Sequence, residues 1–500
     1  MRIASFSDHP PGLFILFATE AWERFAYYGI RALLILFMTS PLAAGGLEFD
    51  TATAGAIYGV FTASVYLMSL PGGWLADKLL GQQRAVLWGG LLIGGGGLLL
   101  AVPGGLPVFR AGLLVISLGV GLLKPNVSVM VGDLYPPEAS ARRDAGFSIF
   151  YFGIYLGAFA APLVVGTLGE SFGYRLGFAA TGVAMLGGTL FYARIRGRLG
   201  AVGRDCELQA PEERRRGWIA TGSLGAAMLL TILAVGLLRL DMEAVAACLG
   251  AIIGALSLGF FGLVLRDRKL DEAARRRVIA IFVLCACVAL FISGLEQAGS
   301  TMNLFARDFT DRSFMGGFFA AGQHPASWYQ SVSPLYVLLL SPVFAAGWMR
   351  LSRRGLEPSA PVKFGLSLIL LGASFALMAL AVTLAVQHGM KAAPGWLILV
   401  YLLQTLGELC IGPIGLSAIT GLAPRSHAGR MMGMWFLATA AGSLIAGLVG
   451  GWMGSAQMAA MPARFLGMAG IGVVAGIAMI LLSGAIVRLA ASRSAQGARP

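Results

Sequence analysis

Four charged side chains lie within one hydrophobic stretch near the start of the chain, residues 13–39. The charged residues are Glu20, Glu23, Arg24 and Arg31, and Tyr27 and Tyr28 lie among them. Positions 20, 24, 27 and 31 follow a helical repeat and therefore share one face. A charge at the bilayer centre costs about 3 kcal/mol or more, so these side chains must be paired and must face other helices or water. They form either a structural salt bridge that locks a bundle or a polar pathway for a substrate or ion.

Three further charged residues fall inside later hydrophobic stretches: Lys124, Glu296 and Glu408. With them, the acids in these stretches outnumber the bases, so one carboxyl is left over or carries a proton. A buried carboxyl that changes its partner can change its protonation state, which coupling to a proton gradient requires. Two plainer interpretations stay open. Lys124 could be a fixed counter-ion of Glu23, and Glu408 could be a polar group bonded to the backbone near Pro413.

The composition identifies the broad class of protein. The 500 residues are 57% hydrophobic and 12% charged, whereas a soluble protein carries roughly 25% charged residues. The chain is therefore predicted to be an all-α, multi-pass integral membrane protein in a lipid bilayer. Its net charge is +13. Because the basic residues lie in short loops between apolar stretches, they indicate how the chain is oriented in the membrane rather than nucleic-acid binding. The scattered His and Cys residues match no metal motif, and neither a metal nor a cofactor is expected.

Fourteen stretches are long and apolar enough to span a bilayer. They lie near residues 13–39, 52–77, 84–103, 108–133, 145–168, 174–194, 218–239, 243–265, 278–304, 328–350, 362–387, 394–421, 428–453 and 463–490. They divide into six, two and six. The predicted domains are accordingly a six-helix bundle at 1–195, linkers with two additional helices at 196–275, and a second six-helix bundle at 276–500.

The loop charges predict the orientation of the spans. Arg and Lys concentrate in alternate loops, among them 194–216 and 266–277, and basic residues favour the cytoplasmic side. Both termini are therefore expected in the cytoplasm. One of these loops reads GGWLADKLLGQQR at 72–84 and resembles the cytoplasmic-loop signature of the major facilitator superfamily. Asp77 and Arg84 can pair there and latch one conformation. The sequence GWMRLSRRG at 347–355 is a weaker match to the same signature, in the equivalent loop of the second half.

Six motifs spread over nearly the whole chain resemble the proton-dependent oligopeptide transporter family. They are ExxERFxYYGxR from Glu20 to Arg31, FSIFYFGIYLG at 147–157, GLEQAGST at 294–301, SWYQSVSP at 327–334, GELCIGPIG at 407–415 and MMGMWFLATAAG at 431–442. The resemblance implies the major facilitator fold and a symporter that imports di- and tripeptides with protons by alternating access. It also implies the cytoplasmic (inner) membrane of a bacterium, a proton gradient as the driving force and a functional monomer.

The resemblance also assigns roles to residues. The implied proton-coupling residues are Glu20, Glu23, Arg24, Lys124 and Glu296. The implied substrate-binding residues are Arg31, Tyr27, Tyr28, Tyr66, Lys124, Tyr155, Trp328, Ser333, Glu408 and Trp435. Glu408 would hold the amino terminus of the peptide, and Arg31 and Lys124 would meet its carboxylate. Arg31 and Glu296 would form a salt bridge that rearranges during transport. The aromatic residues could equally be packing between helices.

Two positions depart from the family pattern. Tyr155 and Ser333 stand where the family usually has Asn, and both changes reshape the polar groups available to a peptide. This leaves open an alternative, a proton-coupled carrier of another small peptide-like or organic solute. A sensor would need a soluble signalling domain, for which no loop is long enough. An intramembrane enzyme would need a nucleophile–base pair or metal ligands, and no such motif occurs, so no enzymatic activity is expected.

Overall fold

The computed structural model describes residues 9–136, 138–208, 210–213, 215–219, 221–223, 241–268, 270–423, 428–454 and 458–490. Within them the chain is helical, with one isolated β-bridge between Thr310 and Ala392. The helices are α1 Gly12–Thr39, α2 Thr51–Leu67, α3 Ser69–Leu75, α4 Gln82–Ala101, α5 Gly105–Asp133, α6 Ser140–Phe172, α7 Tyr174–Ile195, α8 Met242–Leu265, α9 Glu272–Leu295, α10 Thr301–Phe309, α11 Val332–Arg353, α12 Ala360–His388, α13 Pro394–Leu422, α14 Ala428–Gly454, α15 Met461–Leu481 and α16 Ser483–Ala490.

Prolines delimit α1, the helix that carries the four charges. Pro10 and Pro11 precede its first residue, where a missing N–H has no helical partner to lose. At its other end Ser40 is extended (φ −74°, ψ 148°), as expected of a residue before proline. The helix between these prolines, Gly12–Thr39, matches the predicted span 13–39 within one residue.

Twelve segments in the described part of the chain are helical, long and apolar enough to cross a membrane. With the four charges on the 28-residue α1, this is the pattern of a multi-pass membrane protein. The predicted span 218–239 lies largely outside the described residues. The other predicted spans each correspond to helix at nearly the expected place.

The predicted span 278–304 is interrupted within its length. The stretch 278–304 is divided into α9, a 3-10 turn at Glu296–Gly299 and α10, with Ser300 at φ −119°, ψ −93° between the last two. Gln297 holds this break together, because its amide donates to the Ser293 and Ala446 carbonyls and its Oε1 accepts from the Thr301 hydroxyl. The motif GLEQAGST therefore marks a break that places Glu296 at a helix end.

The described helices group into two compact units. The first contains Met1–Phe49, Ser64–Asp241 and Ser313–Leu335, and the second contains Asp50–Ala63, Met242–Arg312 and Tyr336–Pro500. In the first unit α1 packs on α6 and α7, and α4 packs on α5 and α7. In the second unit α12 packs on α13 and α15, while α14 packs on α9 and α8. The boundaries fall inside α2 and α11, so each of these helices contributes to both units.

Candidate functional site: the buried charges

The charged face of α1 is buried in the first unit. Glu20, Glu23 and Arg24 are 2%, 0% and 4% exposed. Arg24 Nε lies 3.2 Å from Glu20 Oε1, and it donates a hydrogen bond to Glu23 Oε2. One guanidinium is thus shared by two carboxylates from the same helix. The predicted triplet is formed, and each of its members faces protein rather than lipid.

The triplet keeps unused hydrogen-bonding capacity. Glu20 Oε2, Glu23 Oε1 and Arg24 Nη2 are all buried, and none has a hydrogen-bond partner among the described residues. Buried polar atoms without protein partners are uncommon, and these atoms can still bond to a proton, to water or to a new partner. Both carboxylates contact the same guanidinium, so a proton on either of them changes the ion pairs that Arg24 makes.

Lys124 on α5 is brought toward the triplet. It interacts electrostatically with Glu20, and its Nζ lies 4.4 Å from the centroid of the Tyr66 ring. Pro125, the next residue, lies within α5, where a proline removes one helical hydrogen bond. Lys124 therefore acts on Glu20 of α1, and its role as partner of the triplet stays a prediction.

Aromatic rings also lie against the two α1 cations. The centroid of Tyr27 is 5.4 Å from Arg24 Cζ, and that of Tyr28 is 5.4 Å from Arg31 Cζ. The two tyrosines meet edge to face at 5.4 Å between centroids. A cation over an aromatic face is stabilised without being neutralised, so the guanidinium can still bind an anion. Arg31 is 6% exposed.

Three other predicted substrate residues belong to the first unit. Tyr155 is half-buried on α6, and Ser333 is half-buried in the first turn of α11. Trp328 lies just before α11, and its indole Nε1 donates to Thr167 Oγ1 at 2.9 Å and to the Leu163 carbonyl at 3.2 Å. The polar atom of Trp328 is therefore used in packing against α6.

The remaining predicted residues belong to the second unit. Glu296 lies at the helix break, 6% exposed, and Tyr58 donates a hydrogen bond to its Oε2 at 3.4 Å. Glu408 is half-buried on α13. Trp435 on α14 lies against α13, since an ideal Cβ on Gly415 would come within 2.6 Å of its ring. Trp435 therefore packs on the helix that carries Glu408.

The proposed loop latch is exposed. Asp77 and Arg84 both face solvent, and no ion pair joins them in the part of the chain that the structure describes. Their loop is instead held by the linker that follows α7. Gln83 donates from its amide to the Gly200 and Val202 carbonyls, at 3.2 Å and 2.8 Å. Lys78 pairs with Glu207, so the loop and the linker form one structure.

Two residues near these groups were missed by sequence reasoning. Tyr58 lies in an apolar span with no neighbouring charge, so nothing marks it as a partner of Glu296. Glu170 lies near the end of α6 and resembles any other loop carboxylate in the sequence. Its carboxylate nevertheless accepts hydrogen bonds from the Ala326 and Ser327 backbone at 2.8 Å and 2.9 Å. Both contacts join residues more than a hundred positions apart, beyond the reach of local patterns.

Comparisons with known proteins agree on one family. The model of the POT family matches residues 83–198 and 251–464. A relative named peptide transporter YePEPT, from Yersinia enterocolitica, is 39% identical over 97% of this chain and 96% of its own length. A di-/tripeptide transporter from Lactococcus lactis subsp. cremoris is 35% identical over 97% of both chains.

Solved structures are similar over the same extent. A peptide transporter POT in complex with sulfate has a TM-score of 0.88 and 38% identity, and covers 97% of both chains. A POT family transporter in complex with 5-aminolevulinic acid has a TM-score of 0.87 and 30% identity, covering 97% of this chain and 98% of that one.

Proposed function

The chain belongs to the POT family, and on that premise we propose that it is a proton-coupled symporter that imports di- and tripeptides. The relatives are named as transporters of peptides, and none of those compared is an enzyme. The observation that carries proton coupling is the buried triplet of Glu20, Glu23 and Arg24, in which each carboxylate has one oxygen without a hydrogen-bond partner among the described residues.

The physical basis of coupling is competition for Arg24. When both carboxylates are ionised, they compete for one guanidinium in a site shielded from water, and Lys124 is the further cation that acts on Glu20. A proton on either carboxyl neutralises that group, and Arg24 then pairs with the carboxylate that remains ionised. Protonation therefore changes the ion pairs of α1, and a transporter can use such a change to link proton movement to its conformation.

We assign the remaining residues as the family resemblance implies. Lys124 and Glu296 complete the proton-coupling residues. Glu408 holds the peptide amino group, and Arg31 and Lys124 hold its carboxylate. The other proposed substrate residues are Tyr27, Tyr28, Tyr66, Tyr155, Trp328, Ser333 and Trp435. Asp77 and Arg84 latch the cytoplasmic loop in one of the transport states.

The proposed layout has fourteen membrane helices. Twelve segments meet the length and composition expected of a span. The thirteenth is α1, which carries too many charges to be recognised by composition alone. The fourteenth is the predicted span 218–239, which lies largely outside the described residues. We assign 1–195 and 276–500 to two six-helix halves of a major facilitator fold, with 196–275 between them. Both termini are cytoplasmic, the membrane is the bacterial inner membrane, the monomer is the working unit, and the proton gradient is the only driving force, with no cofactor.

A carrier of a different solute is not favoured. Tyr155 and Ser333 suggested it, but the relatives compared at 35–39% identity and full coverage that have a named activity are peptide transporters. Uptake into proteoliposomes tests the proposal. With an acidic exterior, labelled di- and tripeptides should accumulate inside above their external concentration, and a protonophore should abolish this. Equilibration without accumulation, or no uptake of any peptide in a broad panel, would contradict it.

A further inference from the structure

The motif SWYQS at 327–331 lies in the second half of the sequence, yet it is attached to the first unit. Residues Ala326–Ser331 form a short 3-10 turn before α11, which we call the docking segment. The segment belongs to the first unit together with α1 and α6, whereas α11 from Tyr336 onward belongs to the second. The attachment must therefore come from specific contacts with α1 and α6.

Glu170 makes the largest set of these contacts. Its Oε2 accepts from the Ala326 N–H at 2.8 Å, and its Oε1 accepts from the Ser327 N–H at 2.9 Å and from the Ser327 hydroxyl at 2.5 Å. Hydrogen bonds to an ionised carboxylate are about twice as strong as those between neutral groups. One side chain of α6 thus holds the beginning of the segment.

The rest of the segment follows the same face of α6. Trp328 donates to Thr167 and to the Leu163 carbonyl, and Ser331 donates to the Phe159 carbonyl at 2.7 Å. Positions 159, 163, 167 and 170 recur at helical spacing, so they form one stripe along α6. Gln330 adds a contact of 3.4 Å to the Ala32 carbonyl of α1.

The chemistry of this interface suits an attachment that can be released. It is rich in hydrogen bonds, and each of those donors and acceptors can bond to water once separated. The preceding connection, residues 313–325, has only a short 3-10 segment at Ser313–Phe318, and Phe314 and Phe318 in it are 88% and 84% exposed. That connection leaves chain length for the segment to move.

We propose that the docking segment is a releasable latch, held on α6 by Glu170, that must leave α6 during each transport cycle. This inference rests on the proposed transport function, since an alternating-access carrier must open a path on each side in turn. Trp328 then serves mainly to dock the segment. Glu170 is a positioning residue and need not touch the peptide.

A crosslink tests whether release is required. An ideal Cβ on Gly166 lies 3.1 Å from Ser327 Cβ, closer than the roughly 3.5–4.5 Å usual in disulfides, so the two cysteines can bond after a small outward shift of the docking segment. The variant Gly166→Cys with Ser327→Cys is made in a background lacking the five native cysteines. Ser327→Cys alone is its control, because a Cβ on Gly166 would clash with the native Ser327 hydroxyl oxygen. Oxidation should stop peptide uptake in the double variant alone, and a reductant should restore it. Equal uptake by the oxidised and reduced forms would overturn the proposal, and failure to crosslink would contradict the docked geometry.

A labelling measurement tests Glu170 without any transport assay. Ala326 is 0% exposed, so Ala326→Cys in the cysteine-free background reports release to a membrane-impermeant maleimide. Adding Glu170→Gln should raise the labelling rate roughly tenfold or more, because charge-assisted hydrogen bonds are lost. The matched control is Glu48→Gln, which neutralises an exposed carboxylate elsewhere in the first unit.

The outcomes of this measurement separate the latch from the transport function. The same labelling rate with and without Glu170→Gln would remove the latch role. Faster labelling in the Glu170→Gln protein, together with no peptide transport by the parent protein, would instead refute the proposed function alone.

Discussion

Arg24 is the residue on which the proposed coupling depends. Its guanidinium is 4% exposed and contacts Glu20 and Glu23, while one of its own nitrogens has no hydrogen-bond partner among the described residues. Breaking a buried ion pair by removing one partner typically costs several kcal/mol. A proton that neutralises one carboxylate weakens one pair but leaves the other intact. The arrangement therefore allows a change of partner at a smaller cost than complete loss of pairing.

Glu23→Gln should separate proton coupling from movement of the peptide. The amide keeps the shape of the carboxyl but cannot gain or lose a proton, so proton-driven accumulation should be lost. Exchange of labelled for unlabelled peptide across the membrane needs no net proton movement and should continue. Both activities are measured in the same proteoliposomes, and Glu20→Gln is expected to behave alike.

Glu48→Gln is the control for this pair of variants, because Glu48 is exposed and lies outside α1. It should accumulate peptide as the parent protein does. Full accumulation by the Glu23→Gln protein would remove Glu23 from the coupling role. Loss of both accumulation and exchange would mean that the side chain maintains the structure and does not couple.

The sequence identifies which charged residues lie inside the spans, but it does not reveal every contact that holds the site together. The cost of charge in a membrane is enough to single out Glu20, Arg24 and Lys124 from the sequence, and the structure brings these three together. The roles of Trp328 and Glu170 were not predictable in this way. Their contacts depend on which distant segments meet, and neither residue type is unusual at its position.

At the scale of helices, end groups and close packing decide stability. α2 begins with an N-cap, in which Asp50 accepts from the Thr53 N–H at 2.9 Å and from the Thr53 hydroxyl at 2.7 Å. Hydrogen bonds from Thr53 lower the pKa of Asp50. When the pKa of a carboxyl is lower in the folded than in the unfolded protein, the carboxyl stabilises the fold at pH values above its unfolded pKa. This stability is lost as the pH falls through the folded pKa.

Asp50→Ala should therefore lower the free energy of unfolding by about 1 kcal/mol at neutral pH. The difference between the two proteins should begin to shrink below about pH 4, where Asp50 of the unfolded chain takes up a proton. It should be lost at the lower pH at which Asp50 of the folded protein is protonated. Thermal unfolding in detergent at neutral and acidic pH measures both effects. Asp50→Asn keeps a capping oxygen without the titrating charge and should show little pH dependence. A constant difference between parent and Asp50→Ala at every pH would contradict the role of the ionised cap.

Close approach of α2 and α14 within the second unit requires glycine. An ideal Cβ on Gly59 would lie 2.8 Å from the Leu444 carbonyl oxygen and 3.1 Å from Gly447 Cα. Backbone atoms cannot shift as the end of a flexible side chain can. Small residues commonly permit such contacts between membrane helices, where close van der Waals packing replaces the hydrophobic effect.

Gly59→Ala should destabilise the protein by about 2 kcal/mol, the usual consequence of overpacking. Gly95→Ala is the matched control, since a Cβ on Gly95 of α4 meets no atom within 4 Å. The control should be neutral or slightly stabilising, because alanine favours helix by about 1 kcal/mol over glycine. Thermal unfolding of the two variants measures the difference. Equal stability would show that α2 and α14 can separate without loss.

At the scale of the whole molecule, hydrophobic length predicted the helices well. The expected span 108–133 corresponds to Gly105–Asp133, and 394–421 corresponds to Pro394–Leu422. The bilayer fixes the length of a span, and proline and glycine mark its ends. The break at Glu296–Gly299 was not predicted, because GLEQAGST contains no proline and the break is held by Gln297 and a distant carbonyl.

The grouping of helices into units was equally hidden from the sequence. Residues 50–63 belong with the second unit and residues 313–335 with the first. Local hydrophobic patterns report only that a segment is buried, whereas unit membership depends on contacts between segments far apart in the chain. The docking segment and the N-terminal part of α2 are therefore features that only a three-dimensional description could supply.

Proton entry driven by peptide tests the central claim most directly. Proteoliposomes holding a pH-sensitive dye are prepared at equal internal and external pH, with the membrane potential clamped at zero, and a dipeptide is added outside. The interior should acidify in step with peptide entry for the parent protein, and it should not acidify for Glu23→Gln. Peptide entry into liposomes containing the parent protein without any acidification would contradict proton coupling through the buried charges of α1.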